Sequence, residues 1–273
     1  MIFKSYCKRN NRLNEEIMMK KPVILIGVGE MGGVFARGLL KTGYPVYPVG
    51  RGVNLKEVSV EVVDPQAVVV GVGEKDLHAV LESIPEVWKD KLVLLQNELL
   101  PQDWKKHNIN NPTVISVWFE KKPGQDVKVI IPSPVYGAQA ELIKSALNAI
   151  NISCDVVNSE EDLLLELVIK NVYILTVNIA GLEVGGNVGE LWNQHQVLAR
   201  SVASDVIDIQ ENLTGQTLNR EQLIEGMVKA FEGDLEHKCM GRSAPGRLER
   251  AIQQADKAGL EVKKLRMISE VLK

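Results

Sequence analysis

Short apolar runs alternate with amphipathic stretches through the first 158 residues, and then the alternation stops. Val23–Gly27 is a run rich in β-branched residues that ends in glycine. Val46–Val49, Ala67–Val72 and Leu92–Leu95 repeat the theme, and Val114–Phe119, Val127–Ile131 and Ser153–Val157 read as further strands, the last at an edge. Ala67–Val72, "AVVVGV", has no polar side, as expected of a strand covered on both faces of a parallel sheet. Between these runs, Met31–Leu40, Asp76–Ile84 and Ala138–Ile150 space their apolar residues as helices do, and Gly43 stops the first of them. Strand–helix alternation predicts βαβ units in a doubly wound sheet. After Asn158 the pattern is helical. Ser159 followed by three acids is an N-cap with a first turn suited to the helix dipole. Helices are predicted over 162–183, 193–213, 220–232 and 244–258, divided by Gly185-Gly186, Thr214-Gly215, Gly233 and Gly259.

The first strand runs into Gly27-Val28-Gly29-Glu30-Met31-Gly32. In a strand–turn–helix setting Gly27 permits the tight turn and Gly29 lets backbone approach a pyrophosphate. Gly32 permits close helix–strand packing. The amides of Glu30 and Met31, opening the helix, would face the phosphates. The expected architecture is α/β. An N-terminal Rossmann-type doubly wound sheet over 21–158 binds a dinucleotide, and an all-helical C-terminal domain over 159–273 supplies the substrate side. Residues 1–20 have basic residues but no apolar segment of a secretory signal, and are expected to form a disordered tail. At the end of the second strand, where an NAD enzyme places an acid for the ribose 2′-hydroxyl, the chain reads Val49-Gly50-Arg51-Gly52. Arg51 suits a 2′-phosphate, so the expected cofactor is NADP(H). The plain alternative is a solvated loop arginine.

Bulk properties narrow the class further. The chain has 273 residues, 45% hydrophobic and 25% charged, with a formal net charge of -3. That balance is globular, and it argues against nucleic acid as a general partner. The apolar stretch nearest to a membrane span, Leu163–Leu182, is interrupted by Glu166, Lys170, Asn171 and Asn178. No membrane partner and a cytoplasmic location are therefore expected. Cys7, Cys154 and Cys239 are far apart, read as free thiols, and show no zinc spacing. Four histidines without an HxH or HExxH pattern lead to the expectation of no metal site.

Two further stretches sharpen the chemistry. Gln96-Asn97 follows the fourth apolar run, and Glu166–Leu191 reads "ELVIKNVYILTVNIAGLEVGGNVGEL". With GVGEMG, their order and spacing resemble the ketopantoate reductase family from residue 21 onward. The resemblance implies NADPH-dependent reduction of a small 2-oxo acid. It implies Lys170 as general acid, Asn97 at the nicotinamide end together with Gln96, Asn178 on substrate, and Gly189-Glu190-Leu191 after the helix. The residues support part of this by themselves. Hydride delivery to a carbonyl builds charge on oxygen and needs a proton donor. A lysine in an apolar helical run has its ammonium destabilised toward the working range, and Asn178 lies on nearly the same helical face. Glu166, one turn before Lys170, offers the alternative of an ordinary i, i+4 pair. Asn97 and Asn178 have the alternative of capping or packing amides.

The chain departs from the resemblance at three places. Glu98 stands where a glycine would follow Gln96-Asn97, and Ile174 where an asparagine would follow Lys170. Ser243 stands where the late helix would open with a glutamate, with Glu249 a turn or more too late. These departures put ketopantoate itself in question and keep two rivals open, an imine or opine-type reductase and a non-catalytic NADP(H)-binding sensor or assembly protein. His237, Lys238, Arg242, Arg247 and Arg250 form a basic cluster that suits a substrate carboxylate or phosphate, or else a solvated helix start. A carboxylate-bearing small molecule is the expected ligand, and a homodimer the expected assembly.

Overall fold

The computed structural model describes residues 20–272, so Cys7 and the tail expected over 1–20, Lys20 apart, lie outside the described residues. Seven strands form one sheet in the order β2-β1-β3-β4-β5-β8-β9. Their ranges are β1 Val23–Ile26, β2 Val46–Val49, β3 Ala67–Val70, β4 Leu92–Leu94, β5 Thr113–Ile115, β8 Ser133–Tyr136 and β9 Cys154–Val156. The first five pair in parallel, with Val23 opposite both Val46 and Ala67. β8 then runs antiparallel to β5, and the edge strand β9 runs parallel to β8. β8, "SPVY", was not expected as a strand. Pro134 lacks an N–H, which argues against a paired strand, yet its carbonyl accepts from Ser116 N at 2.9 Å and keeps the ladder intact.

The expected strand over Val114–Phe119 is two strands. The chain leaves β5 after Ile115, and Phe119–Glu120 (β6) pairs instead with Lys128–Val129 (β7) in a separate hairpin. Trp118 sits at this departure, fully buried, with its backbone N–H donated to Ser133 Oγ at 2.9 Å. The break therefore directs an indole out of the sheet plane toward the helical half.

On one face of the sheet, α1 (Glu30–Lys41) packs against α5 (Ala140–Asn148). Phe35, Leu39, Ile143 and Leu147 close a core there with Val23, Leu25, Val69 and Val93. On the other face, Ile24, Val68, Leu92, Leu94 and Val114 belong to a continuous core that runs on into the helical half. The smaller helices α2 (Leu55–Glu61), α3 (Leu77–Ser83) and α4 (Pro101–Lys105) complete the first half. α2 and α4 were not expected.

The helical half contains α6 (Glu160–Val184), α7 (Val188–Gln194), α8 (Gln196–Thr214), α9 (Arg220–Gly233), α10 (Ala244–Ala258) and α11 (Lys263–Val271). Ser159 caps α6 as expected, its hydroxyl accepting from Asp162 N at 3.1 Å. The helix expected over 193–213 is broken at His195, and α11 was not expected. α6 is the hub, packed against α8, α9, α10 and α11. By length and composition α6 would qualify as a membrane span, contrary to the reading of the interrupted stretch, but 78% of its apolar window is buried inside the fold. It is hydrophobic nearly all round because neighbours surround it. Glu190 of the Gly189-Glu190-Leu191 stretch forms a capping box at the start of α7. Asn187 Oδ1 accepts from Glu190 N at 2.8 Å, and Asn187 N donates to Glu190 Oε2 at 3.1 Å.

Candidate active site

The strand order places β1 between β2 and β3, so successive crossovers leave β1 in opposite directions. A crevice opens at the carboxyl ends of the strands at such a switch point. Here it is a cleft of about 770 Å³ lined by Gly27, Gly29, Arg51, Gly71, Gly73 and Asp76, among others. Gly27 has φ 92, and a Cβ on it would stand 2.8 Å from the Gly71 carbonyl oxygen. A Cβ on Gly32 would run into the Gly27 carbonyl. Both positions therefore require glycine. At Gly29 a Cβ would meet nothing within 4 Å, so the backbone there faces open space. Gly29 lines the cleft, is also the N-cap of α1 and has no side chain to cap it, which leaves the first amides of a 12-residue helix without a side-chain acceptor.

The other cofactor-side residues take distinct places. Arg51 is exposed on the cleft wall and makes no ion pair among the described residues. Glu30 pairs with Lys121 at 3.2 Å, and Met31 packs against the core under α1. Gln96 is buried and its amide is fully engaged. Its Nε2 donates to Val70 O at 2.6 Å and to Val72 O at 3.1 Å, while its Oε1 accepts from Leu95 N at 3.1 Å. Gln96 thus ties the end of β4 to the end of β3 and shapes the cleft through the backbone. Asn97, next along, is half-buried and donates Nδ2 to Glu74 Oε1 at 3.0 Å.

α6 carries the remaining polar groups singled out from the sequence, Lys170 and Asn178. Lys170 is buried, and its Nζ lies 4.0 Å from the ring centroid of Trp118 and 5.7 Å from that of Tyr173. It makes no ion pair with Glu166, and no hydrogen bond among the described residues. Burial first, and then the positive charge of Arg247, push its pKa down to about 7. The indole face attracts the ammonium and works against part of that shift. Two turns on, Asn178 donates Nδ2 to Ile174 O at 2.9 Å and accepts from Arg247 Nη1 at 3.1 Å.

Arg247, on α10, joins the two halves. Its Nε donates to Glu98 Oε1 at 2.9 Å and its Nη2 to Glu74 Oε1 at 3.3 Å. Its Nη1 also reaches Ser243 Oγ at 2.8 Å. Arg250, one turn along, donates Nη2 to Glu98 Oε1 at 2.6 Å. Glu98 holds φ 61, in the left-handed region that favours glycine. Its side chain receives both arginines. The rest of the basic cluster disperses, with Lys238 and Arg242 exposed and His237 packed near Tyr173 at 6.3 Å. Glu74 and the indole of Trp118 were not singled out from the sequence. Nothing in the local pattern around either residue marks a contact with a helix more than 50 residues away.

No protein-family model matches the sequence, and no sequence among the curated proteins matches it. Solved structures do match. 2-Dehydropantoate 2-reductase from Methylococcus capsulatus is 11% identical with a TM-score of 0.67, over 92% of this chain and 95% of that one. A dimeric ketopantoate reductase from Staphylococcus aureus is 15% identical with a TM-score of 0.61, over 92% and 97%. D-mandelate dehydrogenase, solved with NADH and anilino(oxo)acetate, is 14% identical with a TM-score of 0.63, over 91% and 96%. Over nine-tenths of its length, the chain has the fold of the ketopantoate reductases.

Proposed function

We propose that the protein is an NADP(H)-dependent reductase of a small 2-oxo acid, with residues 21–158 holding the dinucleotide and 159–273 completing the substrate side. The observation that carries this reading is Lys170, a lysine buried beside an indole with its pKa brought down to about 7, on the helix whose Asn178 is linked through Arg247 to Glu74 and Glu98 beyond the ends of β3 and β4. The residues fit the cofactor. The open backbone at Gly29 and the uncapped start of α1 suit a pyrophosphate. Arg51 on the cleft wall suits a 2′-phosphate, and no acid stands at the end of β2 to favour a free ribose hydroxyl. A fold neighbour solved with NADH and an oxo-acid ligand supports the reaction class.

When bound, the reduced nicotinamide supplies the hydride. Lys170 donates the proton that the carbonyl oxygen takes up as its charge develops, and is recharged from solvent between turnovers. A lysine titrating near neutrality suits that task, because it gives up a proton readily yet is still substantially protonated at pH 7. Asn178 and Asn97 offer neutral amides for orienting the substrate, and the arginine of α10 holds Asn178 in place. Trp118 and Tyr173 keep water away from the ammonium.

The test is oxidation of NADPH, followed by absorbance, against a panel of 2-oxo acids and the corresponding imines. Turnover of at least one 2-oxo acid is expected, lost in Lys170→Ala with NADPH affinity retained. Binding of NADPH without turnover across the panel would leave a non-catalytic binding protein as the better reading.

A further inference from the structure

Arg247 is only 6% exposed, and three of its four side-chain contacts are to parts of the frame. Nε meets Glu98 at 2.9 Å, and Nη1 meets Ser243 and Asn178 at 2.8 and 3.1 Å. The fourth differs. Nη2 has a single acceptor among the described residues, Glu74 Oε1, at 3.3 Å, the longest of the four. The same oxygen is the only acceptor found for Asn97 Nδ2. Glu74 belongs to a one-turn 3-10 segment, Glu74–Asp76, and its side chain is 39% exposed. No other side chain among the described residues holds its carboxylate. Two donors, one from each half of the protein, therefore converge on one carboxylate oxygen carried by a short turn facing solvent.

We propose that Arg247 and Asn97 select a free carboxylate on the substrate, and that the Glu74 carboxylate is an internal stand-in that the substrate displaces. The proposal rests on the 2-oxo acid reading above. Exchange of one carboxylate for another leaves the charge around the buried guanidinium unchanged, so entry requires no new uncompensated charge. Nε and Nη1 keep their frame contacts throughout, so the guanidinium stays oriented while Nη2 changes partner. A neutral ester or amide would replace a charge-assisted bond with a weaker neutral one and is refused. A tethered competitor also lowers the apparent affinity for the free acid.

The experiment is calorimetric titration of oxamate, an unreactive carboxylate analogue of a 2-oxo acid, into the full chain saturated with NADPH. Wild type, Glu74→Ala and Arg247→Lys are compared, with ethyl oxamate as the uncharged probe. Expected results are at least fivefold tighter oxamate binding in Glu74→Ala, at least tenfold weaker binding in Arg247→Lys, and no binding of ethyl oxamate to any of them. NADPH affinity is expected to stay unchanged in all three. A purely structural role for Glu74 would leave its variant unchanged or weaker, and either result overturns the proposal. So does the failure of oxamate to bind wild type and Glu74→Ala alike, or equal binding of the ester. The reductase reading fails separately, through the turnover panel: oxamate binding that responds as expected without any turnover leaves the carboxylate site standing and removes the reaction.

Discussion

Lys170→Met separates the cost of burying the lysine from its use. Methionine matches the apolar stem in length, and its thioether suits the face of Trp118. In the wild type the lysine pKa falls from 10.5 to about 7, mainly through burial. At about 1.4 kcal/mol per pH unit, that drop corresponds to about 5 kcal/mol of lost stability when the group is charged in both states. The cation–π contact with Trp118 returns about 1 to 2 kcal/mol. The expected gain for the methionine variant at pH 6 is therefore about 3 to 4 kcal/mol. The sign follows from proton counting. Between the folded and unfolded pKa values the unfolded chain binds the extra proton, so wild-type stability rises with pH and the penalty is gone above about 10.5. At pH 9 about 2 kcal/mol of the advantage remains.

Thermal unfolding of the two proteins at pH 6 and pH 9 measures this directly. An increase in Tm of about 10 °C is expected at pH 6, and about half that at pH 9. In the turnover assay the variant is expected to lose a factor of about 10² to 10⁴ in kcat, and the wild-type rate to fall as pH rises through the lysine's titration. Equal stability of the two proteins at pH 6, or a difference that does not change with pH, would refute the argument from burial. A wild-type rate that is flat from pH 6 to 9 would refute the assignment of Lys170 as the proton donor.

The remaining predictions concern the cleft and the bridge. Arg51→Ala is expected to reduce the preference for NADPH over NADH by at least about tenfold in Kd, read by fluorescence titration, because one charge-assisted clamp on the 2′-phosphate is lost. Tm should not change, since the side chain is exposed. Gly27→Ala is expected to destabilise the fold by about 2 kcal/mol or more in chemical denaturation and to abolish dinucleotide binding, since a Cβ at φ 92 would press on the Gly71 carbonyl. Glu98→Gly relieves about 1 kcal/mol of backbone strain but removes the acceptor shared by Arg247 and Arg250, for a net loss of about 1 to 3 kcal/mol. Glu98→Asn, which tolerates the left-handed backbone but lacks the charge, should lose a similar amount. A stabilised Glu98→Gly would show that the bridge contributes nothing.

Where one local signal sufficed, sequence and structure agree. β1, β2, β3 and β4 lie within the apolar runs expected for them, and α10 spans 244–258 as expected. Glycines mark the ends of α1, α6, α8 and α10 because the chain must turn there. Disagreement arises where tertiary contacts outweigh local preference. Pro134 does not keep β8 out of the sheet, because β5 and β9 pair with it on both sides. His195 breaks a helix although no glycine or proline announces it. The pairing of Glu166 with Lys170 was open on helical spacing alone. In the folded chain Lys170 turns inward under Trp118, which lies in the segment between β5 and β6.

The site shows the same limit in a more informative way. From the sequence, Glu98 and Ser243 appear as two separate losses, one of a glycine and one of an acid. In the structure one side chain joins the two positions. Arg247, one turn after Ser243, donates to both Glu98 Oε1 and Ser243 Oγ. Glu98 keeps a left-handed backbone that glycine would hold more easily, and only its bonds to the two arginines give a physical reason for that strain. A guanidinium this deeply buried is costly without its acids, and without Glu98 only Glu74 among the described residues remains to pair with Arg247. Their chain separation of 149 residues is why no local motif could have shown the pair.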